Sequence, residues 1–185
     1  MVCWVAERAQ AARNVDRVIV ATDTQEIVDA VSARGFEARL TRANHTSGTD
    51  RVAEVAATIP DAEIIVNVQG DEPLIAPETI ERAVETMVAE MSKPDGAGIV
   101  TTYEAIESRD DLLNPDLVKV VMDDAGHAVY FSRSPIPFPR DAAKRASSCE
   151  PARRSARRRT SRPYVGCFFI SANSSRVSLP GLFST

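Results

Sequence analysis

Ile64-Ile65-Val66-Asn67-Val68-Gln69-Gly70-Asp71-Glu72-Pro73 is the stretch that decides the fold. A β-branched apolar run ends abruptly in a glycine, two adjacent carboxylates and a proline. Such a run, bounded by turn residues, reads as a strand buried on both faces, as in a parallel sheet. In open α/β sheets, ligands gather beyond the carboxyl ends of the strands, which is where Asp71 and Glu72 fall. Gly70 permits close approach of a ligand to the backbone, and Pro73 ends the ladder. Asn67 and Gln69 break the apolar alternation just before that point, so one or both are expected to face the crevice. Carboxylates at a strand end suit Mg²⁺, which is commonly held by one or two of them together with substrate phosphates. The competing reading is an ordinary polar turn after a core strand.

Outward from this stretch, helices and strands alternate. Residues 1–13 have helical apolar spacing through Val2, Val5, Ala6 and Ala9. Val18–Asp23 reads as a buried strand, Gln25–Arg34 as a helix closed by Gly35, and Phe36–Leu40 as a second strand. Asp23 or Thr24 is placed to cap the helix Gln25–Arg34. Thr46–Arg51 reads as a polar loop leading into a helix that ends before Pro60. Pro77 opens another helix, with Ile80, Val84, Met87, Val88 and Met91 expected inward. This order predicts an α/β domain: βαβ units with a mostly parallel sheet flanked by helices.

From Gly98 the pattern turns to strands. Ile99–Tyr103 reads as one, and the segments 117–122 and 127–132 flank Asp123-Asp124-Ala125-Gly126, a β-hairpin signature. The hairpin element, about residues 99–139, is too small to stand alone and is expected to pack on the sheet or on a second subunit.

The net charge of −4 conceals two halves. Residues 1–141 hold 13 Lys/Arg against 25 Asp/Glu, and residues 142–185 hold 9 against Glu150 alone. The second segment is rich in Ala, Ser, Arg and Pro without apolar periodicity. It reads as a disordered basic tail or as the product of a shifted reading frame. Tyr164–Ile170 is its one candidate strand. Arginine clusters at 153–154 and 157–159 would tolerate a nucleic-acid arm, but no aromatic residues interleave them and the acidic body would repel phosphate. No nucleic-acid or membrane partner is therefore expected. The longest apolar run is far short of the ~20 residues of a membrane span. No leader is expected at the start, and three scattered cysteines point to a reducing, cytoplasmic setting.

Four segments, in order and at matching intervals, resemble the sugar-nucleotide cytidylyltransferases, and most closely the branch that activates 3-deoxy-manno-octulosonate (Kdo). They are Ser47-Gly48-Thr49-Asp50-Arg51-Val52-Ala53-Glu54, Val66-Asn67-Val68-Gln69-Gly70-Asp71-Glu72-Pro73, Asn114-Pro115-Asp116-Leu117-Val118-Lys119-Val120-Val121 and Tyr130-Phe131-Ser132-Arg133-Ser134-Pro135-Ile136-Pro137. The resemblance spans about residues 1–141. It implies that the mostly parallel sheet is a nucleotide-binding sheet. It also implies transfer of CMP from CTP to Kdo with release of pyrophosphate, for lipopolysaccharide synthesis, by a cytoplasmic homodimer that uses Mg²⁺.

By the same resemblance Asp71 is the catalytic metal carboxylate and Gln69 lies against the sugar acid. Ser47, Gly48, Thr49 and Arg51 border the cytidine, Arg51 offering a planar donor fork. Arg133 pairs with the sugar carboxylate, its competing role being a surface arginine at a strand end. Glu72 is expected to be a turn carboxylate and Asp23 a helix cap. Two departures are expected. Met1 reads as an internal methionine of the family pattern, so that the first strand and phosphate loop are missing, and the frame is expected to change near codon 142. The alternative function is a non-catalytic CTP-binding or dimerising fragment.

Overall fold

The computed structural model describes residues 1–106, 108–136, 164–166 and 169–172. These fall in two compact units, Met1–Thr101 with Phe168–Thr185, and Thr102–Cys167. The expected basic segment lies outside the described residues except at 164–166 and 169–172, as does the end of the expected extended run 134–139.

In the first unit α1 (Val2–Gln10) precedes β1 (Ile19–Thr22), α2 (Gln25–Ser32), β2 (Glu37–Leu40), α3 (Gly48–Ala56), β3 (Ile64–Asn67), α4 (Pro77–Met91) and β4 (Ile99–Val100). The α/β order read from the sequence is present. β1 and β2 pair in parallel, Ile19 opposite Glu37 through Thr22 opposite Leu40, with α2 as their crossover. Gly35, at φ +82°, ends α2 in the left-handed conformation that suits glycine. β3 does not join β1 and β2 in one described ladder. It pairs antiparallel with β9 (Phe169–Ala172), and β9 pairs antiparallel with β4. Because both flank β9 in the same sense, β3 and β4 run parallel to each other, and β3–α4–β4 is a split βαβ unit with one strand inserted.

The core of this unit joins α1 to α4 and the sheet. Ala9, Ala12, Ile75, Ile80, Ala83, Val84 and Met87 are buried together, with Val15, Val18, Ile64, Val66, Val68 and Val100 packed against them. Val88 and Met91, expected inward, are about half exposed; Ala83 and Glu81 are buried instead. The apolar stripe of α4 is therefore narrower than its leucine-like residues suggest. Glu81 is tolerated inside because Arg13 wraps it, Nε donating to Oε1 at 3.0 Å and Nη2 to Oε2 at 2.6 Å.

In the second unit β5 (Tyr103–Ala105), α5 (Arg109–Leu113), β6 (Lys119–Met122), β7 (Ala128–Ser132) and β8 (Tyr164–Gly166) form an antiparallel sheet in the order β5-β8-β6-β7 beside one short helix. The single strand expected at Ile99–Tyr103 is two, β4 and β5, which belong to different sheets. The hairpin is as expected. Its tip is fixed by Asp123, whose Oδ1 accepts from the backbone N–H of Ala125 at 2.9 Å and of His127 at 2.8 Å, and by Gly126 at φ +88°.

Candidate functional site at the ends of β1, β2 and β3

The segment Ser47–Arg51, expected to be loop, is the start of α3. Ser47 is the N-cap, and its Oγ accepts from the Asp50 N–H at 3.1 Å while donating to Asp50 Oδ2 at 2.8 Å. Thr46 Oγ1 donates to the same carboxylate oxygen at 2.8 Å. These hydroxyls, Ser47 first, hold the Asp50 carboxyl below its ordinary pKa. A reciprocal cap of this kind makes helix of a polar stretch that lacks apolar periodicity. It leaves the N–H groups of Gly48 and Thr49 without an acceptor among the described residues, at the end of the helix where the backbone dipole favours an anion.

Arg51, one turn in, reaches back to two strand ends. Nη1 donates to Thr41 Oγ1 at 2.7 Å and Nη2 to Asp23 Oδ2 at 2.8 Å. Thr41 Oγ1 donates in turn to the Thr22 carbonyl at 3.1 Å. The carboxyl ends of β1 and β2 and the first turn of α3 are thus laced together. Asp23 is held below its ordinary pKa chiefly by its hydrogen bond from Arg51. The expected cap role of Asp23 is not what the structure shows: Thr24 occupies the N-cap of α2 without a side-chain cap bond, and the Asp23 carboxylate serves Arg51. Further along α3, Glu54 accepts from Arg42 Nε at 3.1 Å and pairs with His45 Nε2, and the His45 hydrogen bond is the main reason its carboxyl is held low.

The end of β3 comes to the same turn. Gln69 Nε2 donates to Asn67 Oδ1 at 3.4 Å, and its Oε1 lies where a Cβ on Gly48 would stand 3.7 Å away. Asn67 is buried, and its Nδ2 has no partner among the described residues, an orphaned donor at a strand end. Gly70 packs against α1, with Val2 Cγ2 3.7 Å from the place of its absent Cβ. Asp71 follows, exposed, and no described residue donates to its carboxylate. Glu72 is half buried in the turn, its backbone N–H donating to the Gln69 carbonyl at 3.2 Å.

The structure therefore brings Ser47, Gly48, Thr49 and Arg51 together with Gln69 and Asn67. Arg133 lies in the second unit, just beyond β7. Its Nη1 donates to the carbonyls of Pro115 at 3.0 Å and Asp116 at 3.4 Å. Among the described residues there is no cluster of three or more His, Cys, Asp or Glu able to hold a metal. A divalent ion at Asp71 would be held by that carboxylate with ligand phosphates and water, which suits Mg²⁺. No helix among the described residues is long and apolar enough to cross a membrane. Sequence reasoning missed the lacing by Arg51 and the burial of Lys119 on β6; neither has a local sequence signal.

Known proteins resemble this chain in sequence and fold. The sequence profile of the Cytidylyltransferase family matches residues 1–165. The 3-deoxy-manno-octulosonate cytidylyltransferase of Syntrophotalea carbinolica is 49% identical over 152 residues, which is 82% of this chain and 59% of that protein. The enzyme of that name from Neisseria gonorrhoeae is 48% identical over 146 residues, 78% of this chain and 55% of that protein. A solved structure of CMP:2-keto-3-deoxy-manno-octonic acid synthetase complexed with CTP superposes with a TM-score of 0.73 at 35% identity, over 92% of this chain and 62% of that one. The chain thus spans between half and two thirds of the length of the relatives it matches. With four motifs, a shared fold and a family-wide match in agreement, the chain belongs to the cytidylyltransferase family.

Proposed function

We propose that this chain carries the nucleotide- and sugar-facing part of an enzyme that transfers CMP from CTP to Kdo, releasing pyrophosphate and making CMP-Kdo for lipopolysaccharide synthesis in the cytoplasm. The observation that carries the reading is the approach of Gly48, in the first turn of α3 where its N–H and that of Thr49 lack an acceptor among the described residues, to Gln69 just beyond β3, with the exposed carboxylate of Asp71 two residues on. The likeness to a CTP-complexed synthetase supports it.

In that reaction the anomeric hydroxyl of the sugar attacks the α-phosphorus in line as pyrophosphate leaves. Catalysis of this kind is positioning and charge neutralisation. Asp71 would hold Mg²⁺, which when bound would supply charge neutralisation at the attacked phosphate. Ser47, Gly48 and Thr49 border the cytidine nucleotide, and Arg51 anchors that turn from beneath. Gln69 offers its amide to the sugar acid, and the orphaned Asn67 Nδ2 stands ready for an acceptor beside it. Within the second unit, Arg133 has an exposed guanidinium, a donor group of the kind that suits a carboxylate such as that of a sugar acid. A homodimer formed through the second unit's sheet completes the proposal; the exposed Val129 and Tyr130 on the edge strand β7 support it.

The test is pyrophosphate release by the purified chain with Mg²⁺ and CTP, with and without Kdo. Kdo-dependent release is expected, and Asp71→Asn should lower it by about 100-fold, the usual consequence of losing one preorganised electrostatic group. CTP binding without any release would contradict the enzymatic reading and favour a non-catalytic nucleotide-binding role.

A further inference from the structure

Lys119 is the largest wholly buried side chain among the described residues. Its ammonium, on the hairpin strand β6, donates to three backbone carbonyls: Asn114, Leu117 at 3.0 Å and Arg133 at 2.7 Å. An ammonium has three N–H donors and no acceptor. All three are used, so Lys119 has nothing left with which to touch a substrate. A buried charge is costly unless fully paired, and a packing role alone would be served as well by an apolar side chain. Burial, and secondarily the nearby Arg133 charge, lower its pKa, so the site holds this cation at a cost.

Its three bonds converge on one neighbour. Asn114 and Leu117 bracket the tight turn 114–117, which is closed by the Leu117 N–H to the Asn114 carbonyl at 3.3 Å and by the Asp116 N–H to Asn114 Oδ1 at 2.9 Å. The carbonyls of Pro115 and Asp116 within that turn are the ones on which Arg133 Nη1 rests. Lys119 therefore holds Arg133 twice, by its own backbone carbonyl and through the platform under its guanidinium. With Nη1 anchored, the edge formed by Nε and Nη2 has no acceptor among the described residues, and Arg133 is exposed. That edge presents two parallel N–H donors, the match for the two oxygens of a carboxylate.

We propose that Lys119 is a positioning residue that fixes the anion-facing edge of Arg133, through the turn 114–117, for the carboxylate of a sugar acid. This rests on the function proposed above only for the identity of the anion. A fixed edge binds better than a free one because the ordering of the arginine side chain is already complete before the ligand arrives.

The side-chain NMR signals of Arg133 in the full chain test it without any ligand. Restricted rotation should give resolved Nη proton signals for Arg133, assigned by their loss in Arg133→Lys, whereas exposed Arg8 gives one averaged signal. Lys119→Met removes the ammonium at similar length, and Lys119→Gln keeps two donors. In either variant, with backbone amide signals elsewhere unchanged, the Arg133 signals should collapse to the averaged form. Unchanged Arg133 signals in a folded variant would overturn the proposal. Loss of the whole fold in both variants would also overturn it, assigning Lys119 to stability alone. In parallel, Kdo titrated into Lys119→Gln should bind about tenfold more weakly than to the parent, as when an outer partner that orients a ligating group is removed, with CTP affinity unchanged. A parent chain that binds no Kdo would defeat the proposed function while the Arg133 signals still decide the role of Lys119.

Discussion

Glu81 stands inside α4 with both carboxylate oxygens turned to Arg13, Oε1 accepting also from the Arg13 backbone N–H at 2.9 Å. The guanidinium bonds first, then the backbone bond, pull its pKa from 4.5 down to about 2. Because the folded value is the lower one, the unfolded chain takes up this proton first as the pH falls. The stabilisation is complete above pH 4.5 and drains away between there and about pH 2. Thermal melts over that window should show Glu81→Gln less stable than the parent at pH 7 and less sensitive to acid below pH 4.5; parallel curves would refute this. Arg51 makes a second residue-scale prediction. If it acts by lacing Asp23 and Thr41 to α3, Arg51→Gln and Asp23→Asn should each speed amide exchange at Gly48–Asp50, and the double variant should add little more. Exchange unaltered from the parent would contradict it. The Ser47 cap lies three residues from its partner, and such local chemistry can be read along the chain. Arg51, Glu81 and Lys119 find partners 28, 68 and 14 residues away, and no spacing rule encodes those distances.

At the scale of elements, the helices depend on a few local devices. Ser47→Ala removes the α3 cap and should cost about 1 kcal/mol in denaturant unfolding, with faster exchange confined to the first turn of α3. Gly96→Ala is a sharper case, since a Cβ there would stand 1.8 Å from the Glu90 carbonyl oxygen. The chain following α4 would have to move, and a loss of about 1–3 kcal/mol is expected in the same assay. No loss would mean that the turn relaxes freely. The order and type of the elements through β3 were legible because apolar period and caps are properties of adjacent residues, and so was the hairpin, through Asp123 and Gly126. The partners of β3 were not. β9 comes from the other end of the chain, and the apolar run 64–68 says that a strand is buried without saying between which neighbours. Ile99–Tyr103 reads as one strand for the same reason: its division between two sheets is decided by β8 and β9.

At the scale of the whole molecule, the proposed dimer and the nucleotide site make separate predictions. β7 is an edge strand among the described residues, with Val129 66% and Tyr130 58% exposed, one on each face of the sheet, and the proposed dimer has a second copy pairing along this edge. Sedimentation should show a dimer for the parent and a monomer for Val129→Glu with Tyr130→Glu; a monomeric parent would remove the dimer from the account. The central claim is that the turn Ser47–Arg51 and the strand end Asn67–Asp71 form one cytidine-nucleotide site. Titration of CTP into the ¹⁵N-labelled chain with Mg²⁺ tests it most directly. The account predicts amide shifts concentrated at Gly48, Thr49, Gln69, Gly70 and Asp71, saturating with CTP and weakened in Asp71→Asn. Shifts absent from these residues at saturating CTP, or concentrated elsewhere, would contradict it.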